Sequence, residues 1–553
     1  MPVQSASWSV PAKAREYLVK LCQDQRLSLP ETIKHRALER VKYVGSDKPF
    51  IPISWQFGEA VSALHGLEAA FALALKEERY GQVEDPSKQL ETVTIDTDHA
   101  SLFIISVFIS QIKGKPVMHP DNLVAARKYD LADSILNLYR HLCTNIYRTK
   151  DDRYYHLHGS MDASPSQDVV GVPHFSDEKD PDKIKKVYAD AVAKFDAEEL
   201  DRLAAMDAKQ AGTICFTHQE FLESEAGKAI KDCPIYELSK LGPGQPVPWP
   251  RSNSKDSFRP LEGLKVVELT RVIAAPAIGR KLAEYGAQVI RITCDRLPDY
   301  GALLVDLGLG KLQANLDLKT EEGKLALRKL LDDADVFLDG YRPGAIEKLG
   351  FGPKDFEEMG AKRGKGYVVL RENCFGWHGP WKHRSGWQQI SDCFVGISWG
   401  FGQRMGVNEP VVPVFPNSDF CVGTIGATGV LHALQRRAQE GGTYLVNVSL
   451  SYYNVWLASL GMYPEEVWVQ LWSDYERFQF KHSDEMRKTL STLIPKMFEN
   501  RPDLKAREDV WMQTKSEPWG GTVTHLRPVC RFSDRSMYFD VPPRPNGFDP
   551  PKW

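Results

Sequence analysis

The sequence predicts an open, doubly wound parallel sheet with a smaller α+β domain beside it. After residue 263, segments with the composition of strands alternate with segments whose apolar residues recur at helical spacing. Before residue 238, shorter elements of both kinds are mixed, and residues 238–263 form a linker rich in Gly, Pro and Ser. Regular alternation is typical of βαβ units, whose strands are parallel and whose crossovers are right-handed.

The elements after the linker follow a Rossmann-like order, although no GxGxxG follows the first strand and no dinucleotide site is predicted. Thr320 is a predicted N-cap, because acidic residues follow it in the first turn of a helix. The predicted strands are 264–270, 288–293, 335–340 and 366–373, and the predicted helices are 278–287 and 320–334.

Charge and cysteine content exclude several classes of protein. Seventy Lys and Arg residues against 73 Asp and Glu residues give a formal charge of -3, which provides no global field for nucleic acid or an anionic membrane. The nine cysteines include no CxxC pair and predict reduced thiols without a metal site. The first residues lack the apolar core of a signal peptide, and no segment offers about 18 uninterrupted apolar residues. We therefore expect a cytoplasmic protein with no nucleic-acid or membrane partner.

Two segments in different halves of the chain resemble each other. Residues 49–81 align with residues 410–442, and the alignment matches Pro52 with Pro413. A strand rich in β-branched residues follows each segment. We interpret the pair as two versions of one structural segment, with a chance match as the alternative.

The run PLEGLKVVELTRVIAAPAIGRKLAEYGAQVIRI, residues 260–292, resembles the opening of class III CoA-transferases of the CaiB/BaiF type. That family includes formyl-CoA and carnitine CoA-transferases and 2-methylacyl-CoA racemases. Further matches follow in family order at residues 315–323, 334–352, 375–387 and 419–450. Residues 147–159 and 193–230 resemble the small domain that usually comes last, so the family order is inverted here, as if two truncated units were fused.

The resemblance implies a division into domains and a set of partners. Residues 1–115 would match the helix–strand part of the large domain, 116–250 the small domain and 251–553 the CoA-binding large domain. Family members are interlocked dimers with CoA between the two kinds of domain, so we expect either a homodimer or a monomer whose halves pair internally. The partners would be an acyl-CoA and a carboxylic acid, with CoA as a substrate and no permanently bound cofactor or metal.

Four residues are candidates for contacts with CoA. Arg342 directly follows the strand 335–340, at the edge where open α/β sheets bind ligands, and a guanidinium matches phosphate geometry. Arg271 and Val272 follow the first strand, where the resemblance predicts contact with the CoA arm, and Arg291 lies near the end of the second strand. The alternatives are a solvated loop arginine and an ordinary helix cap. Lys311 is expected to be solvated.

The sequence offers two positions for the catalytic residue. In the transferases a carboxylate attacks the thioester, and the resemblance assigns that aspartate to a position held here by Gln388. Asp392 lies one helical turn later and is the predicted replacement, with a structural aspartate as the alternative. Asp419 is interpreted as the N-cap of a long helix.

Three functions follow from these observations. The leading prediction is an acyl-CoA transferase, and the alternatives are an acyl-CoA racemase or isomerase and a catalytically silent CoA-binding member. A racemase would need a base upstream of the aspartate, and only His378 and His383, on a loop, are near in sequence. Several indoles near this region predict an apolar acyl pocket, with core packing as the alternative: Trp377, Trp381, Trp387 and Trp399.

Overall fold

The computed structural model describes residues 8–81, 90–250 and 258–553. The strands in these residues are β1 (Val41–Val44), β2 (Val93–Asp96), β3 (Gln111–Ile112), β4 (Lys115–Pro116), β5 (Asn145–Arg148), β6 (Tyr154–Leu157), β7 (Gly212–Ile214), β8 (Tyr236–Lys240), β9 (Lys265–Leu269), β10 (Gln288–Thr293), β11 (Lys311–Asn315), β12 (Val336–Asp339), β13 (Val368–Asn373), β14 (Tyr444–Ser449), β15 (Trp511–Ser516), β16 (Gly521–Leu526) and β17 (Cys530–Phe532).

The α-helices in the same residues include both long and single-turn elements. They are α1 (Val10–Gln23), α2 (Glu31–Arg40), α3 (Phe57–Tyr80), α4 (Thr97–Phe103), α5 (Ser106–Ile109), α6 (Pro120–Ala126), α7 (Leu138–His141), α8 (Ser164–Val170), α9 (Pro181–Val192), α10 (Ala197–Asp201), α11 (His218–Glu223), α12 (Glu225–Ile230), α13 (Ala274–Glu284), α14 (Leu304–Leu307), α15 (Glu321–Asp333), α16 (Pro353–Arg363), α17 (Gln388–Val395), α18 (Ile397–Arg404), α19 (Asn417–Glu440), α20 (Leu450–Leu460), α21 (Glu465–Asp474), α22 (Met486–Asn500) and α23 (Asp503–Ala506).

The largest sheet confirms the predicted open α/β architecture. Its strand order is β11-β10-β9-β12-β13-β14-β8. All neighbouring pairs are parallel except the pair of β14 with the edge strand β8. Thr320 caps α15 as predicted, because its hydroxyl accepts a hydrogen bond from the Gly323 N–H at 3.0 Å.

Helices cover both faces of this sheet. Along β9, Val266 packs into the core that contains α13 and α19, whereas Val267 packs into the core that contains α15 and α16. Along β12, Leu338 packs into the first of these cores and Phe337 packs into the second. Successive side chains of a strand point to opposite faces, so strands buried on both faces read as continuous apolar runs. The sheet is therefore doubly wound.

A three-stranded sheet in the first half repeats part of this arrangement. Its order is β1-β2-β17, with β1 parallel and β17 antiparallel to β2, and β13, β14 and β8 pair in the same way. Both α3 and α19, which precede the central strands β2 and β14, have 24 residues. The two helices pack against each other inside one chain. The two similar segments thus have the same order of elements and the same strand pairing.

The smaller α+β unit is built on the antiparallel strands β5, β6 and β7. Its separate core includes Tyr147, Tyr155 and Tyr188.

The sheets cross the boundaries predicted at residues 115 and 250. Strand β8 joins the large sheet from the N-terminal side of residue 250, and the β15–β16 hairpin pairs with β3. The three-domain division stays a prediction. The predicted linker begins too early, because Leu238 to Lys240 pair with β14 in β8, and its residues 251–257 lie outside the described part of the chain. Among the described helices, none is both long and apolar enough for a membrane span. The cytoplasmic location also stays a prediction.

Candidate active site

A cavity of about 300 Å³ opens at the carboxyl ends of β9, β12 and β13. The sheet contributes residues 271–274, 340–343 and 372–374, and the small domain contributes Ser160, Met161 and Gln210. We call it the central cavity. Ligands of open α/β sheets bind at this edge, where loops from several strands meet.

The turn after β9 holds a strained backbone against the central cavity. Val272 has a φ of 71°, a left-handed conformation that a β-branched residue rarely adopts. Such strain persists where the surrounding structure imposes it, and it is concentrated at ligand sites. Arg271, the preceding residue, lies over the Tyr341 ring at 4.9 Å from the centroid and donates a hydrogen bond to the Pro298 carbonyl at 3.0 Å. Both predicted residues therefore line the cavity.

The other two predicted arginines differ from each other. Arg342 is exposed, lines the central cavity and donates to the Lys209 carbonyl across the cleft at 3.1 Å. Arg291 is buried, pairs with Asp299 at 2.8 Å and donates to the Thr270 carbonyl. Because its guanidinium is engaged by internal partners and does not line the central cavity, a ligand contact by Arg291 stays a prediction without geometric support.

Two carboxylic acids face the cleft. Asp419, in the first turn of α19, lines the central cavity and is 9% exposed. Its interpretation as an N-cap is wrong, because α19 begins at Asn417 and has no side-chain capping bond. Burial and the nearby charges of Glu372 and Asp392 raise the pKa of Asp419 well above its ordinary value. Burial, with the Asp339 charge second, raises the pKa of Glu372 to about 8. No described side chain hydrogen-bonds either carboxyl group.

Gln388 and Asp392 form a buried pair on one face of α17. The Gln388 amide donates to one Asp392 oxygen, and the Asn454 amide donates to the other at 2.8 Å. Burial raises the pKa of Asp392 to about 7, although both hydrogen bonds lower it. Asp392 is 3% exposed. It lines neither the central cavity nor the two cavities that adjoin it, whereas Gln388 lines the apolar one of these two. Asp392 therefore lies behind Gln388 as seen from the cleft.

The central cavity continues into a second cavity at the ends of β9, β10 and β11. This outer cavity of about 350 Å³ shares Arg271, Leu297 and Tyr341 with the central one. Arg296 and Lys319 add positive charge, Asp317 on the same wall forms an ion pair with Arg296, and the remaining wall is largely aliphatic.

On its other side the central cavity continues into an apolar cavity of about 400 Å³. This inner cavity shares residues with the central one, among them Val272, Trp387 and Asp419. Of the four tryptophans predicted to wall an acyl pocket, only Trp387 lines it. His158 stacks on Trp387 with ring centroids 5.7 Å apart, and the Trp387 indole donates to Ser160 at 3.2 Å. Neither His378, which pairs with Glu237 at 2.5 Å, nor His383 lines any of the three cavities.

Comparison with known proteins decides the family. The family model for CoA-transferase family III matches residues 261–475. The acetyl-coenzyme A transferase nodX of Hypoxylon pulicicidum is 38% identical over 99% of this chain and 94% of its own length. The chain belongs to CoA-transferase family III. An acyl-CoA transferase of Gibberella moniliformis is 30% identical over 92% of this chain and 90% of its own length.

Solved structures in the family match part of the chain. The crystal structure of a CAIB/BAIF family protein from Brucella suis covers 52% of this chain and 96% of that chain, at 20% identity and a TM-score of 0.38. The region matched by the family III model contains the strand ends that line the central and outer cavities, together with Gln388 and Asp419. The α22 face of the inner cavity lies outside that region.

Sequence reasoning missed three groups of this family III site. Asp419 had a visible signal, an acid three residues after a proline at the start of a long apolar helix, which also describes a cap. Glu372 is the penultimate residue of β13, and an acid near the carboxyl end of a buried strand was the signal available. His158 belongs to the small domain, so only the tertiary contact with Trp387 brings it to the site.

Proposed function

We propose that this family III member transfers CoA between an acyl thioester and a carboxylic acid, with Asp419 as the carboxylate that receives the acyl group. The supporting observation is that Asp419 lines both the central and the inner cavity and has no hydrogen-bond partner among the described side chains. CoA-transferases take CoA thioesters as substrates, not as permanent cofactors.

The three cavities fit the parts of an acyl-CoA in order. The outer cavity offers Arg271, Arg296 and Lys319 for phosphates and an aliphatic slot for adenine. The central cavity is a passage for the pantetheine arm, with the strained turn at Val272 on one side and Arg342 on the other. The thioester would then reach Asp419, where the central and inner cavities meet.

The chemistry is a sequence of exchanges at one carboxylate. An Asp419 oxygen attacks the thioester carbonyl, which forms a mixed anhydride and releases the CoA thiolate. The thiolate attacks the aspartyl carbonyl, which forms an aspartyl thioester and frees the donor acid. The acceptor carboxylate attacks that thioester, and the released thiolate then attacks the acceptor acyl group of the new anhydride. Asp419 is regenerated, and no net proton is consumed.

Burial makes Asp419 suited to the first step. A carboxylate removed from water and placed near Glu372 and Asp392 is destabilised as an anion, which is why its pKa is raised. Such an anion gains by transferring charge to the leaving thiolate, which the arginines of the central cavity attract.

We propose that Gln388 and Asp392 support this step. One amide N–H of Gln388 is held by Asp392, which orients the second N–H toward the cavity that Gln388 lines. That N–H is a donor for the thioester oxygen as charge develops on it. Asp392 as the nucleophile itself is the competing prediction, since Asp392 is the other carboxylate on this side of the cleft.

Matched substitutions separate the two carboxylates. Asp419→Asn should abolish transfer between two thioesters and any hydroxylamine-sensitive adduct seen by mass spectrometry, while CoA binding remains. Asp392→Asn should keep the adduct on Asp419 and lower the rate about ten- to a hundred-fold, because only the orientation of Gln388 is changed. If instead Asp392→Asn removes the adduct and Asp419→Asn keeps it, Asp392 is the nucleophile.

One observation favours a racemase. Glu372, whose pKa is raised to about 8, lines the central cavity together with Asp419. Two acids across an acyl group are the arrangement that α-proton exchange needs. Loss of α-deuterium from a labelled acyl-CoA, without acyl exchange, would assign that activity. CoA binding with neither exchange would assign a catalytically silent protein.

A further inference from the structure

The inner cavity has a mostly apolar wall, and the acyl group is the part of an acyl-CoA that remains to be placed. Its wall is mostly aliphatic and aromatic, with Phe108 and Met118 from the first half of the chain, Leu303 after β10, and Leu490 and Ile494 from α22. Asp419 and Gln388 lie at the side where it meets the central cavity.

We infer that the inner cavity binds the acyl group of the thioester and selects a large, uncharged, apolar acyl group. This inference rests on the proposed function, because it takes Asp419 as the point where the thioester reacts. With CoA in the outer and central cavities, the acyl group extends from Asp419 into the inner cavity.

The size of the inner cavity favours a large acyl group. A volume of about 400 Å³ is within the range of about 300–1,000 Å³ typical of pockets for whole small molecules. An acetyl group would leave most of the apolar wall uncovered. Each further methylene buried there is worth about four-fold in affinity.

The charges around the inner cavity disfavour a second carboxylate on the substrate. The one arginine on its described wall, Arg487, donates to the Ile135 carbonyl at 2.7 Å. Burial lowers the pKa values of His141 and His158, which disfavours a positive charge on either imidazole. Asp419, the acid at the entrance, adds no positive charge. A succinyl or malyl carboxylate would be desolvated here with Arg487 as the one described cation, and the Ile135 carbonyl already holds that guanidinium.

One face of α22 forms a part of the wall that single substitutions can alter. Leu490 and Ile494 are four residues apart and point the same way, so each presents its side chain to the cavity. Thr492 is on the same helix but does not line the cavity, and its hydroxyl bonds the Lys488 carbonyl at 2.9 Å. The three residues lie outside the region matched by the family model.

The test measures kcat/KM for acetyl-, butyryl-, octanoyl-, phenylacetyl- and succinyl-CoA with one acceptor acid. Wild-type protein should prefer octanoyl- or phenylacetyl-CoA to acetyl-CoA by at least about ten-fold and should use succinyl-CoA least. Leu490→Trp and Ile494→Trp should each lower the value for octanoyl-CoA at least about ten-fold and change that for acetyl-CoA less than about two-fold. Thr492→Trp is the matched control and should leave the order of substrates unchanged.

A separate binding experiment distinguishes failure of this inference from failure of the proposed function. The affinities of CoA, acetyl-CoA and octanoyl-CoA are measured by calorimetry with wild-type protein and Leu490→Trp. Tighter octanoyl-CoA binding that Leu490→Trp abolishes supports the acyl cavity even if no thioester is turned over. Equal affinity for the three ligands, or a preference for acetyl- or succinyl-CoA in turnover, overturns it. Equal losses for acetyl- and octanoyl-CoA in Leu490→Trp also overturn it.

Discussion

At the scale of single residues, the chemistry depends on which carboxylate meets the substrate. Asp392 and Asp419 are both buried and both have raised pKa values. They differ in their partners, because Asp392 is held by Gln388 and Asn454 whereas Asp419 has no described hydrogen-bond donor. This difference in partners is the reason why we propose Asp419 as the nucleophile and Asp392 as a positioning group.

Replacing Glu372 by Gln should move the acidic limb of the kcat/KM profile to lower pH. Asp419 attacks only as an anion, and the charge of Glu372 is one of the causes that raise its pKa. Without that charge Asp419 ionises at a lower pH, so the variant reaches its full rate earlier. Profiles between about pH 5 and about pH 9 measure the limb. Glu372→Asp is the control that keeps the acid, and an unmoved limb in Glu372→Gln would contradict the role of Asp419.

The same substitution should change how stability depends on pH. The folded pKa of Glu372, about 8, is raised above its ordinary value of 4.5, so the folded state binds the extra proton between these values. Its contribution is therefore fully present below about pH 4.5 and is lost as pH rises to about 8. Denaturation at about pH 5 and about pH 8 should show a smaller loss of unfolding free energy in Glu372→Gln than in wild-type protein.

At the scale of elements, the site depends on where parallel strands end. The strands β9, β12 and β13 run the same way, so the loops that follow them meet at one edge. Arg271, Arg342 and Glu372 come from three different strand ends and reach one cavity. The strands themselves are buried on both faces and contribute rigidity, and the residues just beyond them contribute chemistry.

Arg342→Ala should weaken CoA binding without unfolding the protein. A charge-assisted phosphate contact is worth about 1.5–3 kcal/mol, which corresponds to a loss of about ten-fold or more in affinity. The loss should shrink as salt is added, since Arg342 is exposed and its interaction is screened. Calorimetry at two salt concentrations measures it, with Arg148→Ala on β5 as a control for an exposed arginine away from the cleft. An unchanged affinity would assign Arg342 to solvent.

At the scale of the whole molecule, the two similar segments pair inside one chain. Their helices α3 and α19 pack together, but only the second segment continues into the large sheet. The alignment of Pro52 with Pro413 places Gly58 opposite Asp419, so the first segment has no counterpart of the proposed nucleophile at this position. The adjacent Glu59 is fully buried and accepts hydrogen bonds from Trp8 and Tyr463.

We therefore expect one CoA site per chain and a protein that is complete as a monomer. Calorimetric titration should give one CoA bound per chain, and light scattering should give the mass of one chain. Glu59→Gln should leave transfer between thioesters unchanged, in contrast to Asp419→Asn. Two CoA molecules per chain, or loss of transfer in Glu59→Gln, would show that the first segment forms a working site.

The sequence by itself determined the family, the alternation of strands and helices and the edge of the sheet where the central cavity opens. It did so because those properties follow from local periodicity and from short motifs. It also placed Arg271, Val272 and Arg342 at strand ends, where the structure has them lining one cavity.

Only the tertiary structure decided which charged groups are available to a substrate. Lys311, expected to be solvated, is fully buried and pairs with Glu268 at 2.8 Å, and Arg291 pairs internally with Asp299. Asp419 lines the cleft instead of capping its helix, and His158 reaches the inner cavity from the smaller α+β unit. Burial and pairing of a charge depend on groups distant in sequence, because desolvation and Coulomb energies are set by the three-dimensional surroundings and not by the local pattern.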